Sequence, residues 1–252
     1  MSTAPRRVAK TLPRAFCCAE EGPGVEFVPL LDEAHERLEL GVEGERHGKA
    51  TSWAETAHRK TRPSQIGRVD SRAVCLLSRQ RFAKRLAPGA KLLDVGSGSG
   101  RDARAFLDAG FDVHMLDPSA GLAEHAARYV QEKYPDRYVR VLRAEELQDV
   151  ETFDAIWSCA SFVHMTLKEA QRSMLALMRA LKPDGYFFLS VQEGDSVDHL
   201  YDGRRMVRYG EDTLRKLFRP YAGVVAVDRN DDKHPEKRDI GWISVTARKY
   251  TR

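Results

Sequence analysis

The stretch that most constrains this chain is Lys91-Leu-Leu-Asp-Val-Gly-Ser-Gly-Ser-Gly-Arg101. Leu92, Leu93 and Val95 read as a short buried strand, interrupted only by Asp94. Gly96, Gly98 and Gly100 follow at alternate positions. Asp102 to Ala109 then has helical composition, and Gly110 stops it. The order is strand, glycine turn, helix. Glycines are needed where the backbone takes positive φ or must approach a ligand without a Cβ in the way. The helix start beyond them offers unpaired N–H groups and the positive end of the helix dipole, which suits a carboxylate or phosphate.

The glycine spacing narrows the ligand. A dinucleotide fingerprint reads G-x-G-x-x-G. Counted from Gly96, its third glycine falls on Arg101, a long cation where close helix–strand packing is required. That argues against a nicotinamide oxidoreductase. The pattern is instead D-x-G-x-G-x-G. Asp117 follows a second apolar strand, Asp112 to Leu116, and an acid there can accept bonds from both hydroxyls of a ribose. Together with Asp117-Pro-Ser119, Phe153-Asp-Ala-Ile-Trp157 and Leu181-Lys-Pro-Asp-Gly185, the stretch resembles the class I S-adenosylmethionine-dependent methyltransferases. The resemblance runs from about Ser71 to the C-terminus. It implies a Rossmann-like α/β fold: a seven-stranded, mostly parallel sheet with an antiparallel last strand and helices on both faces. It also implies S-adenosyl-L-methionine as cofactor.

The same resemblance assigns contacts. Gly96, Ser97 and Gly98 lie against the methionine part, within a turn that Gly100 completes. Asp94 faces the ammonium group, Asp117 the ribose, and Pro118 the adenine face. Arg101 either reaches the cofactor's carboxylate or pairs with an acid such as Asp102. The family commonly places an aspartate one residue before an alanine, near the adenine amino group. Arg143 occupies that position here, which leaves Glu145 or Glu146 for the role, or as solvated loop acids. Carbonyls of Ser158 or Cys159, at a strand's carboxyl end, would face the cofactor's amino group.

Methyl transfer is an in-line displacement that needs alignment more than an acid or base. If a base is used, His164 is the candidate, because its pKa lies near neutrality; a structural histidine is the competing reading. Glu193, Asp195 and His199 fit no firm metal spacing and read as a polar loop, so no metal site is assigned. Arg204, Arg205, Arg208 and Tyr209 could clamp an acidic substrate or steady a lid. Trp157 is expected in the core and Trp242 in the final hairpin, with Trp53 as a candidate aromatic wall for the substrate.

At 252 residues the chain has length for one buried domain with an extension. Residues 1–70, broken by Pro5, Pro13, Pro23, Pro29 and Pro63, form that extension, and residues 71–252 the methyltransferase domain. The extension carries a short amphipathic pattern over Leu30–Leu40 and a basic cluster, His58-Arg-Lys-Thr-Arg62. It reads either as a solvated arm or as a cover for the active site. A formal net charge of +4 permits an anionic partner without demanding nucleic acid. No apolar run is long enough to span a bilayer, and Pro5 and Pro13 argue against a helical targeting segment. Cys17, Cys18, Cys75 and Cys159 match no common zinc spacing and read as reduced thiols of a cytoplasmic protein.

Along the domain the pattern predicts a helix over 71–86 with Val74, Leu77, Arg81 and its neighbours, and Leu86 on an apolar stripe interleaved with cations. Further strands are expected at 138–142, 153–158 and 185–191, and helices from Ser119, over 167–181 and over 211–218. A closing antiparallel hairpin is expected from 223–228 and 241–247, after a loosely patterned 193–208. The compact tail favours a small-molecule acceptor. An RNA acceptor such as a tRNA base, and a non-catalytic cofactor-binding subunit, are the alternatives.

Overall fold

The computed structural model describes residues 72–199, 205–232 and 240–251. The Leu30–Leu40 helix, the basic cluster, Trp53, Arg204, Cys17 and Cys18 lie outside the described residues. The elements in order are α1 (Arg72–Ala83), β1 (Lys91–Val95), α2 (Arg101–Asp108), β2 (Asp112–Leu116), α3 (Ala120–Gln131), β3 (Val139–Arg140), β4 (Phe153–Cys159), α4 (Leu167–Ala180), β5 (Leu181–Gln192), β6 (Val197–His199), β7 (Arg205–Val207), α5 (Glu211–Phe218), β8 (Ala222–Asp232) and β9 (Ile240–Lys249).

Seven of the strands form one sheet in the order β3-β2-β1-β4-β5-β9-β8. The pairs β1–β2, β1–β4, β2–β3 and β4–β5 are parallel. The last strand, β9, runs antiparallel to both β5 and β8 and lies between them. The expected sheet is therefore present, with β9 as its single reversed strand. The parallel strands carry near-continuous apolar runs because both faces are covered. On one face Leu92, Val113, Met115, Trp157 and Phe188 meet Phe82 of α1 and Phe106 of α2. On the other, Leu93, Val95, Ile156 and Leu189 meet Met174 and Leu177 of α4 and Phe218 of α5.

Four features differ from their sequence signals. In α1, Phe82, beside Arg81 on the predicted stripe, is buried, whereas Leu77 is 57% exposed, so the stripe is kept at the first and lost at the second. Alternating cations blur the apolar period there, and Arg79 turns inward instead. The strand expected over 138–142 shrinks to Val139–Arg140. It is the sheet edge, and the Leu142 N–H turns back to the Arg140 carbonyl at 3.1 Å. The small hairpin of β6 and β7 within 193–208 has strands too short to register any periodicity. Lys182-Pro-Asp-Gly185, ahead of the strand expected from residue 185, is an irregular entry into β5. The pairing with β4 jumps from Phe153–Leu181 to Ala155–Tyr186, and Asp184 takes φ +61°.

One buried carboxylate ties the layers together. Asp102, at the start of α2, accepts bonds from Arg79 Nη1 at 2.8 Å, Arg101 Nε at 3.0 Å and Trp157 Nε1 at 3.0 Å. Trp157, fully buried as expected, also stacks on Phe188 with centroids 3.9 Å apart. Trp157→Phe keeps the stack and removes one donor from a buried charge. It should lower unfolding stability by about 1–3 kcal/mol. Urea denaturation checks this, and an unchanged midpoint would remove Trp157 from the polar anchor.

Candidate functional site

In a parallel sheet the carboxyl ends of neighbouring strands open on one edge, and ligands gather there. Here β1, β2 and β4 deliver the glycine turn, Asp117 and Ser158–His164 to that edge. The turn is clipped to β2: Gly96 N–H and Ser97 N–H both donate to the Leu116 carbonyl, at 2.9 and 3.1 Å.

The three glycines have different reasons to be glycine. All have positive φ: +68° at Gly96, +54° at Gly98 and +77° at Gly100. A Cβ on Gly96 would lie 2.4 Å from the Ser161 Cβ. One on Gly100 would crowd Ala126 and Val130 of α3, each at 3.1 Å. One on Gly98 meets only the Gly96 carbonyl, at 3.9 Å. Gly96 and Gly100 thus allow the turn to pack, and Gly98 presents bare backbone on an open side.

The two acids predicted at the turn are both buried. Asp117 Oδ2 accepts from Gly98 N–H and Oδ1 from Ser119 N–H, each at 2.9 Å. Burial pushes its carboxyl above the ordinary value, while those two bonds and the charge of His164 oppose the rise. Ser119 also caps α3 by accepting from Leu122 N–H at 3.4 Å. Pro118, between them, is half-buried.

Asp94 is less well satisfied. Its Oδ2 is buried with no hydrogen-bond partner among the described residues. Burial first, then the charges of Asp102 and Asp117, push its carboxyl well above the ordinary range, against Arg101 and a bond from Ala103 N–H. The Ser97 hydroxyl is likewise buried and without a partner. A buried acceptor without a donor is costly. A cationic N–H group of a ligand would relieve both atoms.

The remaining sequence candidates fall into two groups. Arg101 pairs with Asp102, one of its two expected roles. Glu145 and Glu146 stand on a 3₁₀ turn, Ala144–Glu146, after β3. Glu146 Oε2 accepts the Arg143 N–H at 2.8 Å, and Glu145 pairs with Arg143 Nε at 3.1 Å. Both acids therefore hold Arg143, the residue that departs from the family pattern. After β4, Ser158 is fully buried and shares a 2.6 Å hydrogen bond with Ser161. Cys159 is half-buried, and Ala160 adopts φ +60°, which bends the chain to set Ser161 against Gly96.

His164, on a 3₁₀ turn at Phe162–His164, is half-buried. Its Nδ1 lies 3.0 Å from the Arg205 carbonyl of β7. Arg205 reaches Glu169 Oε2 at 2.7 Å, and the Tyr209 hydroxyl donates to the Met165 carbonyl at 2.6 Å. Burial raises the Tyr209 hydroxyl far above its usual range. Arg205 and Tyr209 therefore steady the structure around His164. Arg208 lies under Gly194, whose added Cβ would meet its Cδ at 3.2 Å. Glu193 pairs with Arg229 at 2.7 Å, away from any metal-like cluster; none is present among the described residues.

Sequence reasoning missed Ser161 and Glu169. The Thr166-x-x-Glu169 capping box was a usable signal for the second. Glu169 returns to Thr166 N–H at 2.7 Å and its hydroxyl at 2.8 Å. Nothing local announces Ser161, because its constraint comes from Gly96 across the sheet edge.

Residues 92–185 match the family described as a methyltransferase domain. No curated protein matches the sequence significantly. Among solved structures, the chain is similar to the Burkholderia thailandensis 1,6-didemethyltoxoflavin-N1-methyltransferase with bound S-adenosylhomocysteine. The TM-score is 0.64 at 22% identity, covering 78% of this chain and 85% of that one. It is also similar to magnesium protoporphyrin IX methyltransferase from Synechocystis, with bound S-adenosylmethionine (TM-score 0.56, 16% identity, 71% of this chain and 79% of that one). A third similar chain comes from a complex between the Haloferax volcanii Trm112 methyltransferase activator and a methyltransferase (TM-score 0.55, 19% identity, 72% and 94% covered). At these identities the likeness is one of fold.

Two expectations follow from the turn. A folded carboxyl raised above its unfolded value gives stability that is full below the unfolded pKa and lost as pH rises through the folded one. Asp94→Asn should therefore raise the thermal midpoint near neutral pH and flatten its fall with pH; equal curves for wild type and variant would contradict the burial argument. Gly98→Ala should cost only the left-handed backbone, about 1–2 kcal/mol. Gly96→Ala should cost about 1–3 kcal/mol more from overpacking against Ser161. Denaturation of the two variants side by side tests the order, and equal losses would refute it.

Proposed function

We propose that this chain, which carries a class I S-adenosylmethionine-dependent methyltransferase domain, transfers the methyl group to an O, N or S atom of a small molecule. The observation that carries the cofactor assignment is the buried Asp94 Oδ2, without a partner among the described residues, beside a turn whose Gly98 has open space around it among those residues. An α-ammonium group fits that acceptor. Asp94 and Ser97 would hold the amino-acid end, with Gly96 and Gly98 as the backbone beneath it. Asp117 keeps one lone-pair direction on each oxygen after binding Gly98 and Ser119, enough for two ribose hydroxyls. Pro118 would pack on the adenine, and Arg143 with Glu145 and Glu146 would border it. Ser158 and Cys159 would line the cofactor from β4.

When bound, S-adenosyl-L-methionine supplies an electrophilic methyl on a sulfonium and leaves as a neutral thioether. The chain's task is to align the acceptor and take its proton where one must be lost. His164 is the group we assign to the proton, at Nε2, since a carbonyl already holds Nδ1. The small-molecule assignment draws support from the two neighbours named for small-molecule methylation. It also draws support from the short hairpin, β6–β7, where a macromolecular module would otherwise have room.

Incubation of the full chain with methyl-labelled cofactor and either a small-molecule extract or bulk tRNA tests the substrate class. Label should enter the small-molecule fraction; label confined to tRNA would overturn it. Asp117→Ala should weaken S-adenosylhomocysteine binding by about 1–3 kcal/mol, roughly 5- to 150-fold in Kd, by calorimetry. Unchanged affinity would contradict its ribose role. With an acceptor identified, His164→Asn should slow transfer by about 10²-fold or more, and an unchanged rate would remove His164 from the chemistry.

A further inference from the structure

We infer that Arg205 is a positioning residue that fixes the protonation pattern of His164, so that the ring exchanges its proton only at Nε2. The inference rests on the reading of His164 as the acceptor-side base, and it concerns residues far apart in sequence. Two contacts join Arg205 and His164 reciprocally. The histidine ring, at Nδ1, meets the Arg205 carbonyl at 3.0 Å, and the Arg205 guanidinium donates to the His164 carbonyl at 3.2 Å.

A carbonyl oxygen only accepts, so the ring nitrogen facing it must carry a proton. A neutral His164 is therefore the Nδ1–H tautomer, with its lone pair on Nε2. The second ring nitrogen of a histidine is set by the bond the first one makes. That carbonyl lies on β7, which pairs with β6, and the Arg205 side chain, 16% exposed, ties the strand to the His164 turn. One Nη2 reaches both the His164 carbonyl and Glu169 Oε2, the latter at 2.7 Å.

Glu169 is itself fixed. Its Oε2 accepts from the Thr166 N–H and hydroxyl at the start of α4, and its Oε1 stands 4.0 Å from Arg143 Nη2. Burial pushes its carboxyl up, but the Thr166 bonds and the charges of Arg205 and Arg143 outweigh that and hold it below its ordinary value. It stays anionic and keeps Arg205 clamped. The clamp runs from the loop beyond β3, through the cap of α4, to β7 and the histidine. The residue that departs from the family pattern, Arg143, is its far end.

Nitrogen-detected NMR of the histidine side chains in the full-length protein tests this, at a pH where the ring is neutral. The His164 signal is assigned by its loss in His164→Asn. Wild-type His164 should show a single Nδ1–H tautomer. An Nε2–H ring would overturn the inference, and this reading is made on the wild-type protein, with His164→Asn used only for assignment. Arg205→Met should convert the signal to averaged tautomers, and Arg205→Lys, which keeps a cation toward Glu169, should restore part of the Nδ1–H share. S-adenosylhomocysteine affinity serves as the control for folding. A variant that binds normally and keeps the wild-type tautomer would refute the role of Arg205. Retained methyl transfer by His164→Asn would instead defeat the base reading while leaving the tautomer result intact.

Discussion

Three carboxylates are buried around one glycine turn, and much of the structure is arranged to make that tolerable. An ionised carboxylate removed from water is strongly disfavoured unless it is hydrogen-bonded or paired. Asp102 is answered from three directions, by Arg79, Arg101 and Trp157, so α1, α2 and β4 converge on it. Asp117 is answered by two backbone N–H groups, which also fixes the glycine turn to the end of β2. Asp94 keeps one oxygen without a partner among the described residues. The first two acids build the frame, and the third carries the acceptor on which the proposed cofactor contact rests.

The parts of the site come from separate strand ends and are held by contacts across them. Gly96 lets Ser161 approach from β4, and Ser161 in turn shares its hydroxyl with the buried Ser158. Ala160 adopts a left-handed backbone to make that approach. Such strain in a non-glycine residue persists where the surroundings over-determine it, commonly at functional sites. Around His164, Glu169 does for β7 what Asp102 does for the helices. A single carboxylate, fixed by a helix cap, organises cations from two other segments.

The fold was legible in the sequence wherever burial is uniform and the elements are long enough to show a period. The strands at Lys91–Val95 and Asp112–Leu116, the helix at Glu211–Phe218 and the reversed last strand follow from local pattern and turn chemistry. Illegible were the features decided by partners distant in the chain. Leu77 scores as core by spacing, yet Phe82 is the residue that the sheet face receives. Val139–Arg140 is trimmed because it has one neighbouring strand, a fact of sheet order and not of composition. At the site, Asp94, the glycines and Asp117 stood out because their spacing is local. The bonds of Arg143 to Glu145 and Glu146 are short-range too, but their effect depends on Glu169 in another element.

The most direct test of the account is calorimetric titration of the full-length protein with S-adenosylhomocysteine in two buffers of different ionisation enthalpy. An ammonium group arriving at a carboxyl whose pKa burial has raised must favour its ionised form, so binding should release a proton. The account predicts saturable binding with proton release in wild type and none of that release in Asp94→Asn. A folded protein that fails to bind would contradict the assignment of the glycine turn. Binding with the same proton release in Asp94→Asn would show that the buried carboxylate is not what meets the ligand.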